Sequence, residues 1–140
     1  MPFREKTAWV MLVLLTLAGG FYAWEVIGAG LARGSAPPPS LKLALVYVFI
    51  VAAGAIVGMS SLGESSPGEA SAPADERERI ILDRAGNWAG YVLAVGAITG
   101  VLHYWAQENG HLTFHIVVGS LMLSQIAEYA FQIVLYRRGV

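Results

Sequence analysis

Apolar residues are gathered into four long blocks along the chain, with polar segments between them. The blocks cover residues 7–30, 41–62, 86–106 and 112–136. Each is close to the roughly 20 residues that carry a helix across a bilayer, and all are too long for barrel strands. The pattern therefore predicts an all-α protein with one integral membrane domain over residues 1–140. Its fold would be a four-helix transmembrane bundle running up, down, up, down.

The first block also has features of a cleaved signal peptide, because Arg4 and Lys6 precede it and small residues follow it. Its apolar core is longer than that of a typical signal, however. The pair Trp24-Glu25 also suits a cleavage site poorly. We therefore expect a retained transmembrane helix.

The polar segments predict three different connections. Residues 33–40 contain three prolines, which oppose helix formation and stiffen the link. Residues 63–74 are rich in Ser, Gly, Pro and Glu, and they predict a mobile cytoplasmic loop. Asp75 then has the chemistry of a helix N-cap, with Glu78 three residues on as in a capping box. Residues 107–110 predict a tight turn.

Lysine and arginine are distributed unevenly between the two ends of the predicted bundle. With the N-terminus inside, the outer side holds only Arg33 and Lys42. The inner side holds Arg4, Lys6, Arg77, Arg79, Arg84, Arg137 and Arg138. The positive-inside rule then predicts that both termini are cytoplasmic.

The composition agrees with lipid as the solvent. Hydrophobic residues make up 56% of the chain and charged residues only 14%, against about one quarter charged in soluble domains. The net charge of −1 offers no basic surface for direct nucleic-acid binding, and the absence of Cys removes thiolate chemistry. No phosphate-binding loop or nucleophile elbow occurs. We therefore predict a protein that is not an enzyme.

Small residues recur at helical spacing in the second and third blocks. Gly54 and Gly58 are four apart, and the third block has two further ridges, Gly86-Gly90-Ala94 and Gly96-Gly100. Such ridges let membrane helices approach closely. They predict either packing within the bundle or association into a homo-oligomer or a larger membrane complex.

Glu128 is the most informative polar residue, because it lies well inside the fourth block. An acidic residue at a membrane helix centre costs about 2.5–3.5 kcal/mol and has to face protein or water. At about 100° per residue, one third of the helix surface carries Ser124, Gln125, Glu128 and Gln132. Either this face is a proton or cation site or it joins helices by hydrogen bonds. We favour the structural role, because no second charge lies at that depth.

A second group of polar residues falls at the predicted outer end. It contains Glu25, His103, Glu108, His111 and His115, and His111 and His115 are four residues apart. The candidate metal ligands among them are the three histidines and Glu25. Imidazoles with a carboxylate bind Zn²⁺ or another transition metal, and haem held by a His from each of two helices is a further hypothesis. The alternative, which we favour, is that these histidines lie at wet helix ends and hold no cofactor.

The charged turn carries a resemblance to a known family. Asp75-Glu76-Arg77-Glu78 is followed by Ile80, Ala85 and Gly90. This segment is similar to a motif of small, uncharacterised prokaryotic membrane proteins, in which Asp-Glu-Arg-Asp/Glu leads into the third of about four spans. The resemblance implies cytoplasmic ends and a place in the prokaryotic cytoplasmic (inner) membrane. Genes of that family often lie beside helix-turn-helix regulators, which implies a coupling to transcription.

These features support three functional hypotheses. The first is a non-enzymatic multi-pass membrane partner or regulatory subunit that binds a cytoplasmic regulator through Asp75, Glu76, Arg77 and Glu78. The second is an oligomeric small-solute or ion transporter or channel that uses Glu128. The third is a metal- or haem-binding redox protein built on the outer histidines.

Overall fold

The computed structural model describes residues 2–65, 67–70 and 72–138, and this part of the chain is all-α, with no strand. The helices are α1 (Phe3–Arg33), α2 (Leu41–Ser65), α3 (Pro67–Ala70), α4 (Glu76–Gln107) and α5 (Gly110–Arg138). All but α3 are long and apolar enough to cross a membrane. Four candidate spans of this kind indicate a multi-pass membrane protein.

Each apolar block lies within one long helix, and the helices continue beyond the blocks. The 31 residues of α1 give a length of about 46 Å at 1.5 Å per residue, whereas the hydrocarbon core is about 30 Å thick. The polar ends of α1, α4 and α5 are therefore helical as well. A helix gains a hydrogen bond for each residue added, so it does not stop where the apolar residues stop.

The helix ends have local causes that can be named. Gly34 ends α1 in the left-handed conformation with a φ of 69°. After the prolines, the Ser40 hydroxyl oxygen accepts the Leu43 N–H at 3.3 Å and caps α2. Glu108 ends α4 with a φ of 52°, and the Asn109 side-chain oxygen then accepts the Leu112 N–H at 3.0 Å to start α5.

The predicted loop at residues 63–74 contains helix. The end of α2 reaches Ser65, and α3 follows almost at once. Residues 66 and 71 of that segment lie outside the described residues, and its mobility stays a prediction. The capping box is confirmed: the Asp75 carboxylate accepts the Glu78 N–H at 2.7 Å, and the Glu78 carboxylate accepts the Asp75 N–H at 3.3 Å.

Helix α5 lies between α1 and α4, and α2 packs against α1. In each contacting pair of helices, the residue number of the contact rises along one helix as that of its partner falls along the other. Between α1 and α2, Val10 faces Gly58 and Tyr22 contacts Tyr47. Between α4 and α5, Gly96 faces Ser120 and Gly100 faces Val117. Between α1 and α5, Glu5 pairs with Arg137 and Tyr22 with His115. Each of these helix pairs is therefore antiparallel.

Glycines allow the closest approaches between helices. A Cβ placed on Gly58 would lie 2.6 Å from Val10 Cγ1, and one on Gly100 would lie 2.9 Å from Val117 Cγ2. Gly96 likewise faces the Ser120 side chain. Because no real Cβ tolerates such distances, these ridges pack within the bundle. The other ridge differs, since a Cβ on Gly86 or Gly90 would meet nothing within 4 Å.

Candidate functional site

Polar contacts concentrate at the two ends of the bundle. We name them the proline end, which holds residues 33–40 and the turn from α4 to α5, and the terminal end, which holds residues 2–6, 72–78 and 136–138. A hydrogen bond from His115 to Pro37 and an ion pair from Arg4 to Glu78 mark the two ends. Each end joins residues that are far apart along the chain.

At the proline end, His115 connects three elements through both ring nitrogens. Its Nδ1 lies 3.0 Å from the Tyr22 hydroxyl on α1, and its Nε2 lies 2.9 Å from the Pro37 carbonyl oxygen. A carbonyl oxygen can only accept, so Nε2 carries the hydrogen. In the neutral ring Nδ1 then accepts from the Tyr22 hydroxyl. We call this chain of contacts the histidine strut.

Among the described residues, the predicted metal ligands do not gather into one site, although Glu25 borders the same cleft as His115. His111 is exposed, and the Nε2 of His103 is buried without a hydrogen-bond partner among the described residues. Within residues 2–65, 67–70 and 72–138, no three His, Asp or Glu side chains form a group that could hold a metal ion. Because both nitrogens of His115 already have partners, the geometry favours a structural role for this residue.

A cleft of about 580 Å³ opens beside the histidine strut, between the end of α1 and the start of α2. Its size falls in the roughly 300–1,000 Å³ range of small-molecule sites. Three exposed charged side chains line it: Glu25, Arg33 and Lys42. Apolar side chains, including Phe21, Leu43 and Val46, form the rest of its wall, and Pro37 and His115 also border it. We name this space the proline-end cleft.

At the terminal end, two ion pairs fasten the start of α1. The Arg4 Nε donates to a Glu78 carboxylate oxygen at 3.0 Å, and a second Arg4 nitrogen donates to the Ala72 carbonyl at 3.2 Å. The Arg137 guanidinium lies 3.6 Å from the buried Glu5 carboxylate and stacks over the Trp9 ring at 5.4 Å. We call this set of contacts the terminal clasp, and it joins α1, α4 and α5.

The predicted docking residues divide into two groups. Asp75 and Glu78 bond each other in the capping box, and Glu78 also binds Arg4. Glu76 and Arg77 are exposed on the first turn of α4. A partner would therefore meet Glu76 and Arg77 on a turn that is already held in place.

The predicted polar face of α5 is also divided. Ser124 is buried, and its hydroxyl donates to the Ala89 carbonyl on α4 at 2.9 Å. Gln132 is buried too, and its amide donates to the half-buried Glu128 carboxylate at 3.4 Å. Gln125 is exposed. One end of the face thus joins α5 to α4, while the carboxylate is bound only within its own helix among the described residues.

Most of these contacts are made by residues that were not among the predicted site residues: Arg4, Glu5, Tyr22 and Pro37. Their partners lie 68 to 132 residues away along the chain, so no local spacing could have identified them.

Comparisons with protein-family models, curated proteins and solved structures give no match to this chain. The resemblance carried by residues 75–90 stays a prediction.

Proposed function

We propose that this protein is a non-enzymatic multi-pass membrane partner or regulatory subunit, placed in the prokaryotic cytoplasmic membrane with both termini in the cytoplasm. The distribution of Lys and Arg supports this orientation, because seven of the nine would be cytoplasmic. Four candidate spans support the membrane setting.

The terminal clasp is the observation that carries the proposal. Its Arg4–Glu78 ion pair fixes the charged start of α4 against the start of α1, and its Arg137–Glu5 pair holds the end of α5 against the same turn of α1. The Asp75–Glu78 capping box orders the first turn of α4 itself. Glu76 and Arg77 remain exposed on this ordered turn. A pre-ordered charged surface loses little conformational entropy on binding, which favours docking of a cytoplasmic protein with complementary charge.

The orientation can be tested first, because the chain has no Cys and single cysteines can be introduced cleanly. In intact cells, we expect an impermeant maleimide to label Glu108→Cys directly. We expect it to label Glu76→Cys only after the membrane is permeabilised. The reverse pattern would refute the cytoplasmic placement of the clasp.

Docking is tested with Glu76→Lys, which changes an exposed charge and leaves the clasp intact. We expect this variant to lose proteins that co-purify with the wild type. Its detergent-solubilised melting profile should not change. Glu108→Lys is the matched control at the proline end and should retain them. If Glu76→Lys and the wild type bring down the same proteins, the docking proposal is wrong.

A second candidate function, an oligomeric transporter or channel, rests on Glu128. Within the part of the chain that the structure describes, this half-buried carboxylate is bonded only to Gln132, at the long distance of 3.4 Å, and Gln125 beside it is exposed. A second copy of the chain could cover such a face and supply further partners.

Two substitutions separate the roles of Glu128. If it couples transport, Glu128→Gln abolishes proton or cation flux in proteoliposomes while the oligomer persists. If it only joins helices, Glu128→Gln keeps flux unchanged. Glu128→Leu then lowers the stability of the bundle, because it leaves the buried Gln132 amide without its hydrogen-bond acceptor.

A further inference from the structure

The proline-end cleft contains three charged side chains that lack protein partners. Among the described residues, Glu25, Arg33 and Lys42 make no hydrogen bond or ion pair, although all three line the same space. Arg33 and Lys42 are also the only basic residues between positions 7 and 76. Two positive groups and one negative group therefore face a cleft of about 580 Å³, and they remain available to a ligand.

The cleft continues onto a shallow, open apolar surface formed by α2 alone, which we name the apolar groove. This groove, of about 510 Å³, shares Lys42 and Val46 with the cleft and is otherwise lined by Leu41, Leu45 and Phe49. Arg33 is the last residue of α1, Glu25 lies about two turns earlier on the same helix, and Lys42 lies in the first turn of α2. The groove runs from Lys42 toward the middle of α2. A ligand that fills both spaces must have a charged head and an apolar tail.

The rim of the cleft is held in place. Its Pro37 carbonyl is bonded to His115, and the two prolines that follow restrict the backbone further. A rigid rim reduces the entropy lost when a ligand binds. The charges on the rim also have complementary partners in one headgroup, because Arg and Lys bind phosphate oxygens and a carboxylate binds an ammonium.

We propose that the proline-end cleft binds one phospholipid whose headgroup carries both a phosphate and a primary ammonium. The phosphate lies between Arg33 and Lys42, and the ammonium lies against Glu25. One acyl chain follows the apolar groove along Leu45 and Phe49. This site is separate from the proposed docking surface, which lies at the opposite end of the bundle.

The experiment measures lipid bound to the purified, detergent-solubilised full chain by native mass spectrometry. The protein is first stripped of co-purifying lipid and then titrated separately with phosphatidylethanolamine, phosphatidylglycerol and phosphatidylcholine. We expect one phosphatidylethanolamine to bind more tightly than the other two. Soluble glycerophosphoethanolamine, which has the same headgroup without acyl chains, should bind at least about tenfold more weakly, because it cannot fill the groove.

Substitutions assign the contacts. Arg33→Gln and Lys42→Gln should each weaken phosphatidylethanolamine binding about tenfold, as expected for loss of a charge-assisted hydrogen bond. Glu25→Gln should remove the preference for phosphatidylethanolamine over phosphatidylglycerol. Arg138→Gln, an exposed change of the same kind at the terminal end, should leave binding unchanged. All four positions are exposed, and circular dichroism melting checks that each variant is folded.

Three results would overturn the proposal. Equal binding by the cleft variants and the wild type would show that lipid attaches elsewhere on the apolar surface. Phosphatidylglycerol preferred over phosphatidylethanolamine, with no effect of Glu25→Gln, would refute the ammonium contact. Binding of the soluble headgroup as tightly as the lipid would remove the role of the groove and identify a phosphate site open to soluble ligands.

Discussion

Replacing Tyr22 by Phe tests whether the histidine strut holds α1 against α5. The substitution removes one hydroxyl, which donates to His115 Nδ1 at 3.0 Å. The edge-on packing of the ring against Tyr47, with centroids 6.5 Å apart, can persist in the variant. The change therefore isolates one hydrogen bond at a side chain that is only 5% exposed.

The size of the effect follows from the burial of the two partners. A buried acceptor left without its donor costs about 1–3 kcal/mol, and hydrogen bonds between membrane helices average about 0.6 kcal/mol with a maximum of about 1.7. Because His115 is only half-buried, we expect Tyr22→Phe to lower the free energy of unfolding by about 1 kcal/mol. Reversible unfolding in mixed micelles of mild and denaturing detergent would show an approximately fivefold change in the equilibrium constant.

A double-mutant cycle with His115→Phe separates the hydrogen bond from changes in packing. In the His115→Phe background the Tyr22 hydroxyl has already lost its partner, so its removal should cost little. The coupling energy should therefore be about 1 kcal/mol. Tyr91→Phe is the control, since Tyr91 is 70% exposed, and it should change stability by less than about 0.5 kcal/mol. Additivity of the two substitutions within about 0.3 kcal/mol would refute the strut.

Three further substitutions test the local geometry in the same unfolding assay. Asp75→Ala removes the N-cap of α4 and should lower stability by about 1 kcal/mol; no change would mean that the cap is not formed. Glu108→Gly relieves a left-handed conformation and should raise stability by about 0.5–1 kcal/mol, whereas a loss would contradict the φ of 52°. Gly96→Val should cost about 1–3 kcal/mol because its side chain meets Ser120, while Gly90→Val enters open space; equal effects would contradict this packing.

Local chemistry explains what the sequence could predict. Long apolar blocks force helices in lipid, so each of the four predicted spans lies within one helix. The capping box was also predictable, because Asp75 and Glu78 are three residues apart, so that each side chain can accept the backbone N–H of the other residue. The last residues of α2 were wrongly predicted as loop, because residues 63–74 are rich in Ser, Gly, Pro and Glu. Backbone hydrogen bonding instead continues the helix to Ser65.

Non-local contacts could not be predicted in the same way. The spacing of the histidines suggested a shared end of the bundle, but their surroundings depend on other helices. Tyr22 is 93 residues from His115 and Pro37 is 78 residues from it. The Arg4–Glu78 pair likewise spans 74 residues. Neither pairing has a sequence period, because it depends on how α1 lies against its neighbours.

Helix α1 links the two ends of the bundle physically. Its last turns line the proline-end cleft, and its first turn carries Arg4 and Glu5 of the terminal clasp. If a ligand in the cleft tilts the end of α1 against α2, the rest of α1 must accommodate that tilt. Gly19 and Gly20 lie midway along α1, and such pairs of small residues are sites where helices commonly kink. Occupancy of the cleft therefore alters the docking surface to the extent that α1 stays straight across this glycine pair.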